Sequence, residues 1–307
     1  MGDAAYPDAL RELVDDYLAG LRFAADEDPA ALAAFEEAMR YSLLAGGKRV
    51  RPVLCLASAR AAGLDPASVL PAAGAIELIH TYSLIHDDLP AMDDDEMRRG
   101  RPTSHVKYGE DVAILAGDGL FAEAIRLFCD EQSGEPAAVL AALGELASAT
   151  GVRGMVGGQY LDVTGEGSQA NGAPSPGGEP PGAEMLRRLH GLKTGRLICA
   201  SVVVPQILAG GSEAATIAYR RYAEELGVLF QIVDDILDVT GSDSELGKPQ
   251  GSDERHGKLT YVSMFGLDRA HELAAESHRQ ARAALASIDG DTSDLEMITD
   301  FIHTRQT

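Results

Sequence analysis

The stretch ASVLPAAGAIELIHTYSLIHDDLPAMD, Ala67–Asp93, decides the architecture. Through Leu89 it is apolar around most of a helical circumference, the signature of a central helix wrapped by others. Its C-terminal end then turns acidic, with Asp87, Asp88 and Asp93 followed by Asp94, Asp95 and Glu96. Lone charges beside apolar runs are costly to bury, so such a cluster is best tolerated around a divalent cation. Asp87 and Asp93 would not align on a straight helix. Pro90 between them breaks or loops the chain and can return Asp93 to the side of Asp87.

Outward from this helix, the same periodicity recurs along the 307 residues. Apolar residues at helical spacing predict helices over Pro7–Leu21, Pro29–Ala45, Pro52–Ala62, Asp111–Glu131 and Pro136–Asp162. Further helices are predicted over Glu184–Ala209, Glu213–Val239, Thr260–Ile288 and Asp294–Arg305. Aromatics make up 5% and Trp is absent, which disfavours strands. The expected fold is all-α, one large helical bundle spanning residues 1–307. Ten of the nineteen residues of Gly165–Ala183, GEGSQANGAPSPGGEPPGA, are Gly or Pro. That composition cannot sustain a helix and predicts a mobile loop within the domain.

The net charge of −22 disfavours nucleic acid and anionic membranes as partners. No apolar run approaches the roughly 18 residues of a membrane span, and no secretory leader is visible, so a cytoplasmic protein without stable membrane insertion is expected. Cys55, Cys129 and Cys199 are widely spaced among apolar residues and read as reduced core thiols. Only five lysines are present, and four of them, Lys48, Lys193, Lys248 and Lys258, lie in short Gly-containing motifs where they can meet phosphate.

A second acidic cluster, QIVDDILDVT, occupies Gln231–Thr240. Asp234 and Asp238 are i and i+4, so both project from one helix face, with Asp235 about 100° away. Hard oxygen donors of this kind point to Mg²⁺, which bridges carboxylates to phosphate. A solvated polar stripe would read the same way. Arg98-Arg99 can grip phosphate oxygens, or pair with Asp94 and Asp95 one turn earlier. GGKRVRP, Gly46–Pro52, places Lys48, Arg49 and Arg51 before a helix whose dipole favours anions, with Gly47 allowing close approach. An ordinary capping turn is its alternative reading. His80 lies seven residues before Asp87 on nearly the same face, and is either an anion donor or a core histidine.

Taken in order, GGKRVRP, IHTYSLIHDDLPAMDDDEMRRGRPTSH, GMVGGQYLD, HGLKTG, FQIVDDILDVTG and LGKPQGSDERHGKLTY resemble the trans-isoprenyl diphosphate synthases, in particular the bacterial farnesyl/geranylgeranyl branch. The likeness runs from about residue 35 to 305 with one gap. It implies an isoprenoid-synthase bundle around a central cavity, forming a homodimer. It implies a Mg²⁺-dependent head-to-tail condensation of isopentenyl diphosphate with an allylic diphosphate.

By that resemblance Asp87 and Asp93 hold two Mg²⁺ ions and Asp234 a third, assisted by Asp88 and Asp238. Arg98, Lys193, Lys248 and Lys258 complete the allylic diphosphate cage. Gly47, Lys48, Arg51, His80 and Arg99 bind isopentenyl diphosphate, and Arg305 is placed to close that pocket. Lys193, Thr194 and Gln231 direct dipoles at the allylic cation. Tyr82 and Ser83, a turn before Asp87, set the cavity floor. An aromatic residue there goes with a farnesyl product in similar enzymes, and geranylgeranyl is the alternative. Tyr82 as a plain core aromatic stays open. Two features depart from the pattern, Val262 where Pro is common and the expanded Gly165–Ala183 segment. A class I terpene cyclase would not need GGKRVRP, and a non-catalytic regulatory subunit would not need every carboxylate and lysine.

Overall fold

A computed structural model describes residues 5–23, 29–164, 182–241 and 258–305. Lys248 and residues 165–181 of the expected loop lie outside the described residues. Among those described the chain is all-α apart from one hairpin of two-residue strands, Met97–Arg98 (β1) and Arg101–Pro102 (β2). The first half contributes α1 (Asp8–Gly20), α2 (Pro29–Leu43), α3 (Val50–Ala61), α4 (Leu70–Asp87), α5 (Ser104–Tyr108), α6 (Glu110–Glu131), α7 (Pro136–Thr150) and α8 (Met155–Val163). The second half contributes α9 (Ala183–His190), α10 (Arg196–Leu208), α11 (Glu213–Thr240), α12 (Tyr261–Phe265), α13 (Leu267–Leu285) and α14 (Ser293–Thr304).

Thirteen of the 18 residues of α4 are buried, so the helix of the opening stretch lies inside the bundle. It packs most extensively on α6 and also meets α1, α2, α3 and α10. The second long axial helix, α11, starts at Ser212, whose hydroxyl accepts from the Ala215 N–H, and runs between α10 and α13. One buried apolar cluster joins these helices from Leu10 to Ile302. Each fully buried Leu or Ile in it contributes about 1.5–3 kcal/mol.

The structure interrupts three of the expected helices, each for a local reason. The segment over Pro136–Asp162 breaks between α7 and α8, where a Cβ on Gly154 would lie 1.8 Å from the Ala149 carbonyl oxygen. The segment over Thr260–Ile288 divides at Gly266, whose φ of +80° few side-chain-bearing residues adopt. The segment over Glu184–Ala209 keeps its course but loosens into a π-helical turn at Gly191–Gly195 between α9 and α10. Such turns recur at functional positions. Cys55 and Cys199 are buried as expected, whereas Cys129 sits exposed on the outer face of α6.

Candidate active site

The end of α4 builds the first acidic wall. After Leu89 the chain turns back on itself, so that the Asp93 N–H donates to the Asp87 carbonyl at 2.9 Å and Asp94 adopts a φ of +53°. Asp87 and Asp93 thereby face one cavity of about 320 Å³. Asp88 does not line it. Its buried carboxylate is bound instead by the guanidinium of Arg98, at 2.6 Å from Nη2. Asp88 thus acts by holding Arg98, which does line the cavity.

Across the cavity, α11 presents Phe230, Gln231, Asp234 and Asp235. Asp238 is 4% exposed and is absent from the lining, so the i,i+4 pair expected to act together is divided between cavity and interior. Asp235 accepts from Gln231 Nε2 at 2.7 Å and from the Tyr261 N–H at 2.7 Å. Gln231 Oε1 in turn accepts from Thr194 Oγ1 at 3.0 Å. This chain fixes the amide of Gln231 and the hydroxyl of Thr194 over the cavity.

A third wall comes from α8, which carries the GGQYLD motif, to which the sequence alone assigns no role. Gln159 donates to Asp87 at 2.9 Å, and Asp162, one turn on, pairs with Lys193 at 2.6 Å. Lys258 contacts both carboxylate oxygens of Asp93 at 3.0 Å. The spacing of Gln159 and Asp162 at i and i+3 was the available signal. Burial raises the Asp87 carboxyl above its ordinary value even though Lys193 opposes it. Burial works against the Lys193 charge, but Asp87 and Asp162 outweigh it and raise its pKa.

A further basic part of the cavity lining consists of Arg51, His80 and Arg99. Arg51 Nη1 lies 3.4 Å from His80 Nε2. Burial and then Arg51 push His80 well below its usual value, while burial lowers Arg51 to about 10. Arg99 donates to the Gly46 carbonyl, and a Cβ on Gly47 would lie 2.8 Å from its guanidinium carbon. Gly47 therefore admits Arg99 rather than lining the cavity itself. Lys48 is exposed and does not line the cavity; its ammonium lies 5.3 Å from the centre of the Phe301 ring. Arg305 stacks over Phe230 at 4.4 Å and pairs with Asp234 at 3.1 Å. Arg98 and Arg99 belong to the hairpin, so their expected helical pairing reduces to a 3.7 Å contact between Arg98 and Asp95.

Ser83 lines the cavity, its hydroxyl donating to the His80 carbonyl at 2.8 Å. Tyr82, expected at the cavity floor, does not line this cavity; it is buried edge-on to Phe121 and His86, with ring centres at 5.4 and 5.7 Å. Its ring fills the space between α4 and α6.

A family model described as Polyprenyl synthetase matches residues 33–301. The chain belongs to the polyprenyl synthetase family. This synthetase is 47% identical over 274 residues to the Arabidopsis thaliana heterodimeric geranylgeranyl pyrophosphate synthase large subunit 1, covering 88% of the chain and 72% of the relative. A geranylgeranyl pyrophosphate synthase of Capsicum annuum is 46% identical, with 88% and 71% covered. Among solved structures, a farnesyl/geranylfarnesyl-type (FPP/GFPP) synthase of Zymomonas mobilis aligns with a TM-score of 0.80 at 31% identity, covering 97% of this chain and 96% of that one. A Helicobacter pylori geranyltransferase, solved with magnesium and isoprenyl diphosphate, gives 0.78 at 28% identity, covering 98% and 96%.

Proposed function

We propose that this synthetase condenses isopentenyl diphosphate with allylic diphosphates in a Mg²⁺-dependent reaction, with geranylgeranyl diphosphate as its main product. The observation that carries the reading is one cavity whose lining brings two facing acidic walls together with Arg51, His80 and Arg99. The relatives named as geranylgeranyl synthases favour the longer product over the farnesyl one expected from Tyr82. Tyr82 then marks the depth beyond which the chain stops growing.

The donor set fits Mg²⁺. Asp87, Asp93 and Asp234 supply hard oxygens, and Asp87 is buried where its charge needs a cation. Among the described residues no three acidic or histidine groups converge into a closed metal cage. Three ions per site, each completed by water and substrate phosphate, is our reading. When bound, Mg²⁺ supplies Lewis-acid stabilisation of the charge on the departing pyrophosphate.

The chain's own residues do the rest. Arg98, Lys193 and Lys258 bind the allylic phosphate oxygens, the lysines exchanging their carboxylate partners for phosphate. Lys48, Arg51, His80 and Arg99 hold isopentenyl diphosphate with its double bond toward the allylic carbon. Gln231 and Thr194 direct oxygen dipoles at the cation left when the C–O bond breaks. The double bond attacks that carbon, and the proton lost from the new cation goes to the released pyrophosphate. We further propose a homodimer formed through the outer face of α6, where Ile114, Leu115, Phe121 and Ile125 are exposed.

The test is incubation of purified protein with Mg²⁺, isopentenyl diphosphate and, separately, dimethylallyl, geranyl and farnesyl diphosphate. Geranylgeranyl diphosphate is expected from all three. Failure to condense any primer overturns the reading, and a product that stops at farnesyl overturns the length assignment. Tyr82→Ala should shift the distribution toward longer chains.

A further inference from the structure

A second cavity lies behind the π-helical turn, between α9–α10 and α11. It holds about 320 Å³, and no residue given a substrate role above lines it. Its walls are apolar or bare. Leu192, Val228 and Tyr261 offer carbon surface, while Gly191, Gly195 and Gly227 leave room. Its rim is basic, with Arg187, Arg188 and Arg196 set against Glu224. In a chain of net charge −22, three arginines within ten residues around an apolar hollow are a local reversal of charge. Converging cations above an apolar hollow match an anion that carries a short carbon tail. An inorganic anion would leave the hollow unfilled, and an uncharged tail would make no use of Arg188 and Arg196.

We propose that this cavity binds a single-chain alkyl or prenyl phosphate and that its occupancy displaces the turn carrying Lys193 and Thr194. The phosphate sits at Arg188 and Arg196, and the chain lies between Leu192 and Val228. Transmission is steric. A Cβ on Gly227 would lie only 3.2 Å from the Gly195 Cα, and one on Gly158 of α8 would lie 2.3 Å from the Lys193 nitrogen. The turn is thus gripped on two sides, and pressure from behind moves it as a unit. His190 lines both cavities, and its Nδ1 is buried without a hydrogen-bond partner. Binding is independent of the proposed condensation, and only its effect on rate rests on that reading.

The probe is n-decyl phosphate below its micelle-forming concentration, titrated calorimetrically into the full chain without Mg²⁺. One equivalent should bind. Affinity should fall about tenfold or more in Arg188→Glu/Arg196→Glu and, independently, in Val228→Trp, which fills the hollow. It should be unchanged in Arg98→Ala/Lys258→Ala, which disarms the catalytic cavity. Inorganic phosphate and decanol should each bind far more weakly. In the condensation assay, saturating probe should lower kcat roughly fivefold with both KM values unchanged. That effect should vanish in Arg188→Glu/Arg196→Glu at unaltered basal activity, whereas Val228→Trp, which fills the hollow itself, should lower kcat without the probe. Binding that survives both second-cavity variants, or inhibition competitive with the allylic diphosphate, overturns the proposal. An inactive protein that still shows the calorimetric pattern would fail the proposed function while leaving this site standing.

Discussion

Arg49 sits in the basic turn GGKRVRP, yet its guanidinium faces the interior. Asp15 takes its Nε at 2.9 Å, Glu77 takes Nη1 at 2.6 Å, and the Leu43 carbonyl accepts from Nη2 at 2.8 Å. Arg49 and Glu77 are 5% and 2% exposed, so removing one partner strands the other in low dielectric. Glu77→Ala is therefore expected to cost about 3–5 kcal/mol in urea unfolding and to raise KM for isopentenyl diphosphate, because Arg51 follows on the same turn. The three cations of that turn read alike in the sequence. Which one turns inward is decided by Asp15 and Glu77, contributed by α1 and α4, and no local pattern carries that information. His80 likewise reads as ligand or core until its surroundings are known. Burial, then Arg51, holds it well below its ordinary value, and burial takes His190 to about 4. Unfolded, both histidines bind a proton near pH 6.5, so below that value the unfolded state holds more protons than the folded one. Their contribution to stability is complete above about pH 6.5 and is lost as pH falls toward the folded values. Unfolding free energy measured from about pH 7 to about pH 5 should decline, with a shallower slope in His80→Gln.

At the scale of elements, long periodic segments such as α4 and α11 were legible because apolar spacing and helix burial obey the same geometry. The reversal after Pro90 was legible too, since proline forces the chain out of the helix and the acidic residues had to meet. The breaks before α8 and at Gly266 were not, because a glycine inside an apolar helical pattern reads as helix until something crowds its missing Cβ. The π-helical turn depends on the same crowding. Gly158 faces the Lys193 backbone so closely that a methyl group would lie 2.7 Å from the Lys193 Cβ. Neither partner is the free end of a flexible side chain, so the turn itself must move. Gly158→Ala should destabilise the fold by about 1–3 kcal/mol as overpacking does. It should also lower kcat about a hundredfold, the scale of loss that follows an ångström of misplacement. Circular dichroism with steady-state kinetics separates these outcomes, and a fully active Gly158→Ala would remove the turn from the account of the site.

For the whole molecule, a net charge of −22 repels every copy from every other. Self-association then requires apolar contact, and the outer face of α6 offers it. Ile114, Phe121 and Ile125 follow at helical spacing, and Leu115, 56% exposed, lies beside them. That stripe also reaches the residue proposed to limit product length, since Phe121 packs edge-on against Tyr82 from α4. A partner pressed on α6 would hold Phe121, and through it the ring that stops the chain. Leu115→Glu is expected to weaken dimerisation by a hundredfold or more, on the order of a central interface residue, as read by sedimentation velocity. Raising the salt concentration should strengthen the proposed dimer, because screening reduces repulsion and leaves the apolar contact intact. The monomeric variant should still bind substrates, since the catalytic cavity is lined within one chain. Its products, however, should spread to longer chains as Phe121 and Tyr82 loosen. A monomer that keeps the wild-type product length would show that the ruler needs no partner, and a dimer that survives Leu115→Glu would move the interface away from α6.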